Sequence, residues 1–207
     1  MSYFSHPYLS NSDLKHFKTQ QGLAREAPEN LQAIYELGTL IHSIILEPDK
    51  ANKDHEQYEL ATKMRDTFWK DPACRMFAMA DDFHREEEIY TKDVIVGPYK
   101  VDLRCKADGL RKRVGSMLEI KGLGITTEKA FKEALVNFDY DQAIAHYMLC
   151  GDLKFAMIVG ISKRDPRKLF KWFVKRNDEF FAWGEEKLVQ TLTQLREFSP
   201  EDVKLAA

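Results

Sequence analysis

Apolar residues recur every three or four positions in the first part of the chain, a spacing that predicts amphipathic helices. Three segments have this pattern: from Ser10 or Asn11 to about Lys18, from Pro28 to Glu47, and over residues 55–80 with a break at Asp71-Pro72. Because Ser and Asn side chains accept from the free N–H groups of a first turn, Ser10 or Asn11 is a suitable cap. Residues 1–80 are therefore predicted to be a helical N-terminal part.

The apolar period changes to two after residue 80, which is typical of β-strands. Strands are predicted over 86–96, 99–108 and 116–121, with turns at Gly97-Pro98 and from Gly109 to Gly115. Two helices are predicted next, from Thr126 or Thr127 to Val136 and from Asp139 to Cys150. Two strands follow over Lys154–Ser162 and Leu169–Lys175, with a turn at Arg164–Lys168 between them. The last predicted element is a helix over Asp178–Phe198.

This order of elements predicts an α/β fold in which helices flank a mixed central β-sheet. It has the shape of a restriction-endonuclease-like core. We expect one domain over residues 1–207, with the helical part at 1–80, the core at 86–176 and the C-terminal helix at 178–198.

Three charged residues in the predicted hairpin are the strongest candidates for chemistry. Glu119 and Lys121 lie two positions apart on one strand, so their side chains share a face, and Asp108 ends the preceding strand. Two carboxylates could hold Mg²⁺ while Lys121 contacts a water molecule or a phosphate oxygen. This combination suits phosphodiester hydrolysis.

The acid-x-Lys spacing alone is not specific. It also occurs at Asp13/Lys15, Asp152/Lys154, Glu185/Lys187 and Asp202/Lys204. Only at Glu119 does it fall in a β-patterned apolar stretch that follows an acid-terminated strand. The alternative interpretation is a solvated ion pair on a strand face, worth about 0.2–1 kcal/mol.

Charge is distributed unevenly along the chain. There are 11 Lys and Arg against 17 Asp and Glu in 1–98, 17 against 9 in 99–176, and 3 against 7 in 177–207, so only the middle region is basic. A basic region around an acid pair favours a polyanionic substrate such as DNA or RNA, and the alternative is a set of solvated hairpin tips. The candidate DNA contacts are Arg104, Lys106, Lys163, Arg164, Arg167 and Lys168.

Composition excludes several other classes. The three cysteines are far apart and form no CxxC pair, which argues against a disulfide framework, a zinc ribbon or an iron–sulfur cluster. No apolar run approaches the length of a membrane span, and no N-terminal signal segment is evident. We therefore expect a cytoplasmic protein without a membrane partner.

Several short motifs occur in the order seen in a known family. They are LSNSDLKHFK, LGTLIHSIILEP, REEEIY, RCKADG, LEIKG and YDQAIAHY. The chain resembles the RecE/lambda-type exonucleases of the PD-(D/E)xK nuclease superfamily, and most closely the RecE-like phage and prophage branch.

The resemblance implies roles for individual residues. Asp108 and Glu119 would be metal-binding carboxylates, with the Ile120 carbonyl as a further ligand, and Lys121 would orient or deprotonate the attacking water. His42 would be a metal-site histidine and Glu86 an additional acid.

The helix motif implies two further catalytic residues, Gln142 and Tyr147. Relatives carry Gln and Tyr four residues apart, whereas here Gln142 and Tyr147 are five apart and Gln142 and His146 are four apart. The role of positioning the scissile phosphate is thus open between Gln142 and His146. Ala107 stands where the family signature has Pro.

The function implied is a Mg²⁺-dependent exodeoxyribonuclease, with Mn²⁺ as a substitute, that degrades one strand of linear double-stranded DNA from its end, 5′ to 3′, for phage-type recombination. A homo-oligomeric ring and a single-strand annealing protein as partner are implied by the same resemblance. The alternatives are an endonuclease or repair nuclease on this core, or a non-catalytic protein that binds DNA ends. A Cas4-like nuclease is disfavoured because it needs four cluster cysteines.

Overall fold

The computed structural model of the chain describes residue 3, residues 6–22 and residues 30–206. The helices are α1 (Asn11–Gln20), α2 (Leu31–Leu46), α3 (Tyr58–Lys70), α4 (Pro72–Ala78), α5 (Glu128–Asn137), α6 (Tyr140–Cys150) and α7 (Glu179–Phe198), with a 3₁₀ turn at Pro48–Lys50. The strands are β1 (Phe83–Val96), β2 (Tyr99–Arg111), β3 (Ser116–Leu123), β4 (Phe155–Ser162), β5 (Leu169–Lys175) and β6 (Val203–Leu205).

The strands form one mixed sheet in the order β1-β2-β3-β4-β5, with β6 paired to β2. All neighbouring pairs are antiparallel except β3 and β4, which are parallel and joined through α5 and α6. The predicted α/β fold with a mixed sheet is thus confirmed.

Helices cover both faces of the sheet. On one face α2, α3 and α4 pack against Leu118, Ile120 and Val159, and on the other α5, α6 and α7 pack against Met117, Ala156 and Ile158. The alternation of β3 residues between these two cores follows from the two-residue period of a strand. Among the described residues, no helix is long and apolar enough to cross a membrane.

Local sequence explains most helix boundaries. Ser10 caps α1 in a capping box with Asp13, and Asp71 accepts hydrogen bonds from the first turn of α4, whose first residue is Pro72. Thr127 caps α5. The predicted break at Asp71-Pro72 is therefore present, while the predicted helix start at Pro28 lies outside the described residues.

The predicted turn from Gly109 to Gly115 is wrong in its first half. β2 continues to Arg111, and Gly109 pairs with both Arg85 and Leu118. A Cβ on Gly109 would lie 2.3 Å from the ring of Phe83, so this glycine permits close packing inside the sheet. The short strand β6 was not predicted, because three residues are too few to show the two-residue alternation of a strand.

Candidate active site

The site lies where β2 and β3 separate. The two strands pair only over Gly109–Arg111 and Ser116–Leu118. Beyond that ladder the Asp108 carboxylate accepts a hydrogen bond from the Ile120 backbone N–H at 2.6 Å, so a side chain bridges the gap between the strands. Farther along β2, Leu9 inserts at the open edge and bonds to the backbone of Asp102 and Arg104. The gap thus brings polar groups of two strands together inside the fold.

Helix α2 places His42 over this gap. One imidazole nitrogen, Nε2, lies 2.8 Å from the Ile120 carbonyl oxygen, and the other, Nδ1, lies 3.2 Å from Asp108 Oδ1. Since both nitrogens face oxygen acceptors, the arrangement favours the doubly protonated ring. Burial lowers the pKa of His42, but the Asp108 carboxylate outweighs burial, so the pKa is raised overall.

The pKa of Asp108 is shifted in the opposite direction, below its usual range. Burial alone would raise the pKa of its carboxyl group, but His42, Lys121 and the hydrogen bond from Ile120 lower it below the usual range. Asp108 is therefore ionised.

Glu86 is a further carboxylate close to His42. Its neighbours Arg85 and Glu87 pair with Gly109 and Ala107, so Glu86 lies opposite Asp108. Its φ of 50° is in the left-handed region, which is uncommon for a residue other than glycine and marks a constrained position. Ligand atoms of His42, Glu86 and Asp108 all lie within 4.8 Å of one another.

Glu119 and Lys121 form the second half of the site. Lys121 Nζ lies 2.5 Å from Glu119 Oε1, and both side chains are largely buried. Burial and the nearby Asp108 raise the pKa of Glu119 to about 7, although Lys121 opposes the shift. The acids hold the pKa of Lys121 above its ordinary value despite burial, so its amine carries a positive charge.

Two tyrosines of α6 close the site from the opposite face of the sheet. The Tyr140 ring centre lies 5.4 Å from Lys121 Nζ, a cation–π contact. Burial, Glu119 and Asp108 raise the pKa of Tyr147, whose catalytic role stays a prediction. Tyr140 was not predicted, although a seven-residue spacing from Tyr147 puts both on one helix face.

Gln142 and His146 lie on the other side of α6. Gln142 Oε1 accepts from Lys18 Nζ at 3.3 Å, and His146 Nε2 donates to the Arg104 carbonyl at 2.9 Å. Within the described part of the chain, neither hydrogen bonds to Asp108, Glu119 or Lys121. The role of positioning the scissile phosphate, open between Gln142 and His146, stays a prediction.

The predicted DNA contacts separate into distinct groups. Arg104 is only 3% exposed and binds Asp13 and the His6 carbonyl, so a DNA contact by Arg104 is not supported. Lys106 lies 2.8 Å from Glu86, at the edge of the candidate metal site.

The remaining predicted contacts lie in the loop after β4. Arg167 pairs with Asp165 at 3.0 Å, and Lys168 donates to the Thr126 carbonyl. No carboxylate in the described residues pairs with Lys163 or Arg164.

The donor set fits a hard divalent cation. Carboxylate and carbonyl oxygens are the ligands that Mg²⁺ prefers, and Mn²⁺ tolerates an added imidazole. Glu119 Oε2 is buried and has no hydrogen-bond partner among the described residues, as expected of an oxygen available to a cation.

The order of strands and the helices on both faces of the mixed sheet give the chain a restriction-endonuclease-like α/β fold. A crystal structure of a protein from Eubacterium rectale, named "Putative exonuclease", aligns with a TM-score of 0.62 at 10% identity, over 99% of this chain and 88% of that chain. The two proteins share a fold.

Two further crystal structures align at lower scores. A phage related exonuclease from Haemophilus somnus gives a TM-score of 0.49 at 12% identity, over 96% of this chain and 97% of that chain. An alkaline exonuclease from Laribacter hongkongensis gives 0.43 at 17%, over 84% and 83%. Because both scores are below 0.5, the shared fold rests on the first structure. No protein-family model and no curated protein sequence matches the chain.

Proposed function

We propose that the protein is a Mg²⁺-dependent exodeoxyribonuclease that degrades one strand of linear double-stranded DNA from its end, 5′ to 3′, in phage-type homologous recombination. The observation that carries this proposal is the convergence of ligand atoms of His42, Glu86 and Asp108 within 4.8 Å. They come from α2, β1 and β2, and the neighbouring strand β3 bears Glu119 and Lys121. The fold shared with a protein named as an exonuclease supports it.

Asp108, Glu119 and Glu86 would hold the cation, with the Ile120 carbonyl and His42 as further ligands. Mg²⁺, or Mn²⁺ in its place, supplies positive charge that neutralises the phosphate and makes water a better nucleophile. Before His42 can act as a ligand, one of its nitrogens must release its proton, since only a neutral imidazole nitrogen has a lone pair to offer.

Lys121 would act as a fixed positive charge. Its ammonium group is held between Glu119 and the ring of Tyr140. From that position it can donate hydrogen bonds to a phosphate oxygen or to the attacking water, and its charge stabilises the negative transition state. The raised pKa of Lys121 argues for this electrostatic role over that of a general base.

Substrate contacts outside the cation site would come from basic side chains in the loop after β4. Lys163 and Arg164 are the best placed, because they have no acidic partner in the described residues. A ring-shaped homo-oligomer around duplex DNA and cooperation with a single-strand annealing protein belong to the same proposal, and their support is the family resemblance alone.

Digestion of linear duplex DNA labelled at one 5′ end or one 3′ end tests this function. We expect Mg²⁺-dependent release of mononucleotides that begins at the 5′ label, and no cleavage of a closed circle. Glu119→Gln is the matched control, because the amide keeps the shape of the side chain but loses its charge; it should remain folded and inactive.

Each of the other possible outcomes would indicate a different function for this protein. Cleavage of the closed circle would indicate an endonuclease, and early loss of the 3′ label would reverse the polarity. Binding of DNA ends without cleavage in either metal would indicate a non-catalytic protein. Wild-type activity of a folded Glu119→Gln variant would refute the assignment of the site.

A further inference from the structure

We propose that three aromatic rings, those of His6, Tyr8 and Tyr90, form a platform on which an unpaired base of the DNA strand stacks near the active site. The inference rests on the proposed function. It adds a contact to a base, whereas basic side chains would contact phosphates. The ligand is the flat face of a nucleobase in a single-stranded segment.

The three rings of this aromatic platform contact one another at the surface. The His6 ring centre lies 4.5 Å from that of Tyr90, and 4.3 Å from that of Tyr8 in an edge-to-face contact. The Tyr90 side chain nevertheless remains 38% exposed. Such a group of rings gains free energy when the face of a base covers it, and every base offers a π face.

A row of side chains joins the platform to the candidate cation site. On β1 the Tyr90 hydroxyl donates to Glu88 at 2.8 Å, and Glu88 pairs with Lys106 of β2. Lys106 Nζ lies 2.8 Å from Glu86 Oε2, and Glu86 has a ligand atom within 4.8 Å of one on Asp108. Tyr90 and Glu86 are four residues apart, or about 13 Å along a strand. That length equals about four steps of stacked bases.

The charges along this row favour a base over a phosphate as the ligand. Glu86 neutralises Lys106, and Glu88 adds a negative charge directly beside the Tyr90 hydroxyl. A phosphate at that position would be repelled by the carboxylate, whereas a base is uncharged. A bound strand would therefore turn its base toward the platform and its phosphates away from it.

The segment that carries His6 and Tyr8 is fixed to the sheet. The Leu9 carbonyl accepts from the Arg104 N–H at 2.9 Å, and the Tyr8 N–H donates to His6 Nδ1 at 3.3 Å. The buried Arg104 guanidinium donates to the His6 carbonyl and lies 2.8 Å from Asp13 Oδ2. The rings are thus held in place before any ligand binds, so stacking a base would cost little ordering of the chain.

The test measures the binding of fluorescent single strands by anisotropy in EDTA, where metal-dependent cleavage does not occur. Two strands of equal length are compared: oligothymidylate, and an abasic strand that has the same phosphates but no bases. Tyr90→Leu removes the π face but keeps an apolar side chain, and Tyr90→Phe keeps the ring. Phe173→Ala is the control, because Phe173 is 60% exposed on β5, at the other edge of the sheet.

We expect Tyr90→Leu to weaken the binding of oligothymidylate by about tenfold, as for the loss of one base–aromatic stack. Its binding of the abasic strand should stay within about twofold of the wild type. Its salt slope should be unchanged, because no charge is removed. Tyr90→Phe and Phe173→Ala should bind both strands as the wild type does, and thermal unfolding checks that each variant is folded.

Four results would overturn the inference: equal binding of the two strands by the wild type, wild-type binding of oligothymidylate by Tyr90→Leu, an equal loss on both strands, or the same loss in Phe173→Ala. Cleavage of duplex DNA in Mg²⁺ decides the proposed function separately. A wild type that binds as expected but cleaves nothing refutes that function and keeps the platform. A wild type that cleaves, combined with any of the four results, refutes the platform alone.

Discussion

Lys121 shows how single residues are tuned by their surroundings. Its amine is largely buried, yet Glu119 at 2.5 Å and the face of Tyr140 keep it charged. An isolated buried ammonium would lose its proton, so the charge depends on these neighbours. Burial, together with the neighbouring Asp108, raises the pKa of Glu119 to about 7, although Lys121 opposes the shift.

The electrostatic role of Lys121 predicts different results for two substitutions. Lys121→Arg keeps a charge and hydrogen-bond donors, so it should retain measurable Mg²⁺-dependent cleavage. Lys121→Ala removes both and should lower kcat by about a hundredfold or more. Single-turnover cleavage of linear duplex DNA measures both variants, with thermal unfolding as a check on folding. Complete and equal loss in both would instead indicate an obligatory base, or a space that arginine cannot fill.

At the scale of elements, α6 connects the site to the rest of the fold. Asp139, which precedes the helix with a φ of 56°, binds Lys18 of α1 and Lys187 of α7, each at 2.9 Å. Lys187 also binds the fully buried Asp141. This network fixes the beginning of α6 and therefore the position of Tyr140 over Lys121.

His146 on α6 predicts a pH dependence of stability. Burial lowers its pKa from 6.5 to about 4. Below pH 6.5 the unfolded chain takes up a proton that the folded chain does not, so the free energy of unfolding should fall as the pH drops from about 6.5 to 4. The full contribution is about 3 kcal/mol. Urea unfolding at pH 7 and pH 4.5 measures it.

His146→Gln is the control for that titration, since the amide can still donate to the Arg104 carbonyl but does not titrate. Carboxylates that protonate in the same range affect both proteins equally. The variant should therefore lose less stability between pH 7 and 4.5 than the wild type. Identical losses in the two proteins would show that His146 does not titrate as described.

Two helical glycines predict opposite effects of the same substitution. A Cβ on Gly184 of α7 would lie 2.1 Å from the backbone oxygen of Asp141 in α6, so the two helices would have to separate. Gly184→Ala should cost about 1–3 kcal/mol. A Cβ on Gly38 of α2 would meet nothing, so Gly38→Ala should stabilise by about 0.5–1 kcal/mol. Denaturant unfolding of both variants checks the pair; a tolerated Gly184→Ala would contradict the close approach of α6 and α7.

At the scale of the whole molecule, the site joins parts of the chain that are far apart in sequence. α2 supplies His42 from one face of the sheet, α6 supplies Tyr140 and Tyr147 from the other, and the sheet holds the charged residues between them. A change in the packing of either helix should therefore affect cleavage without touching a carboxylate.

The proposed ring predicts the mass of the protein in solution. A ring-shaped assembly requires three or more copies of the 24.1 kDa chain. Size-exclusion chromatography with light scattering should therefore give a single integer multiple of that mass, independent of concentration over the micromolar range. A monomer that degrades DNA would separate the nuclease activity from the ring and remove the ring from the proposal.

The sequence by itself determined the order of the elements and the central residues Asp108, Glu119 and Lys121. Helix and strand periods are local signals, and a two-residue spacing on a strand puts two side chains on one face whatever the rest of the chain does. The position of His42 was available only through resemblance to other sequences.

Only the tertiary structure decided which polar residues face the site. Arg104 was predicted to contact DNA because it is a basic residue close to Asp108 in the sequence. Packing of the N-terminal segment instead buries its side chain against Asp13. Gln142 accepts from Lys18 on the side of α6 that faces away from Lys121, while Tyr140 lies over Lys121 because Lys18 and Lys187 fix the start of α6. These outcomes depend on contacts between residues about 50 to 120 positions apart, and no local pattern of hydrophobic and polar residues encodes such contacts.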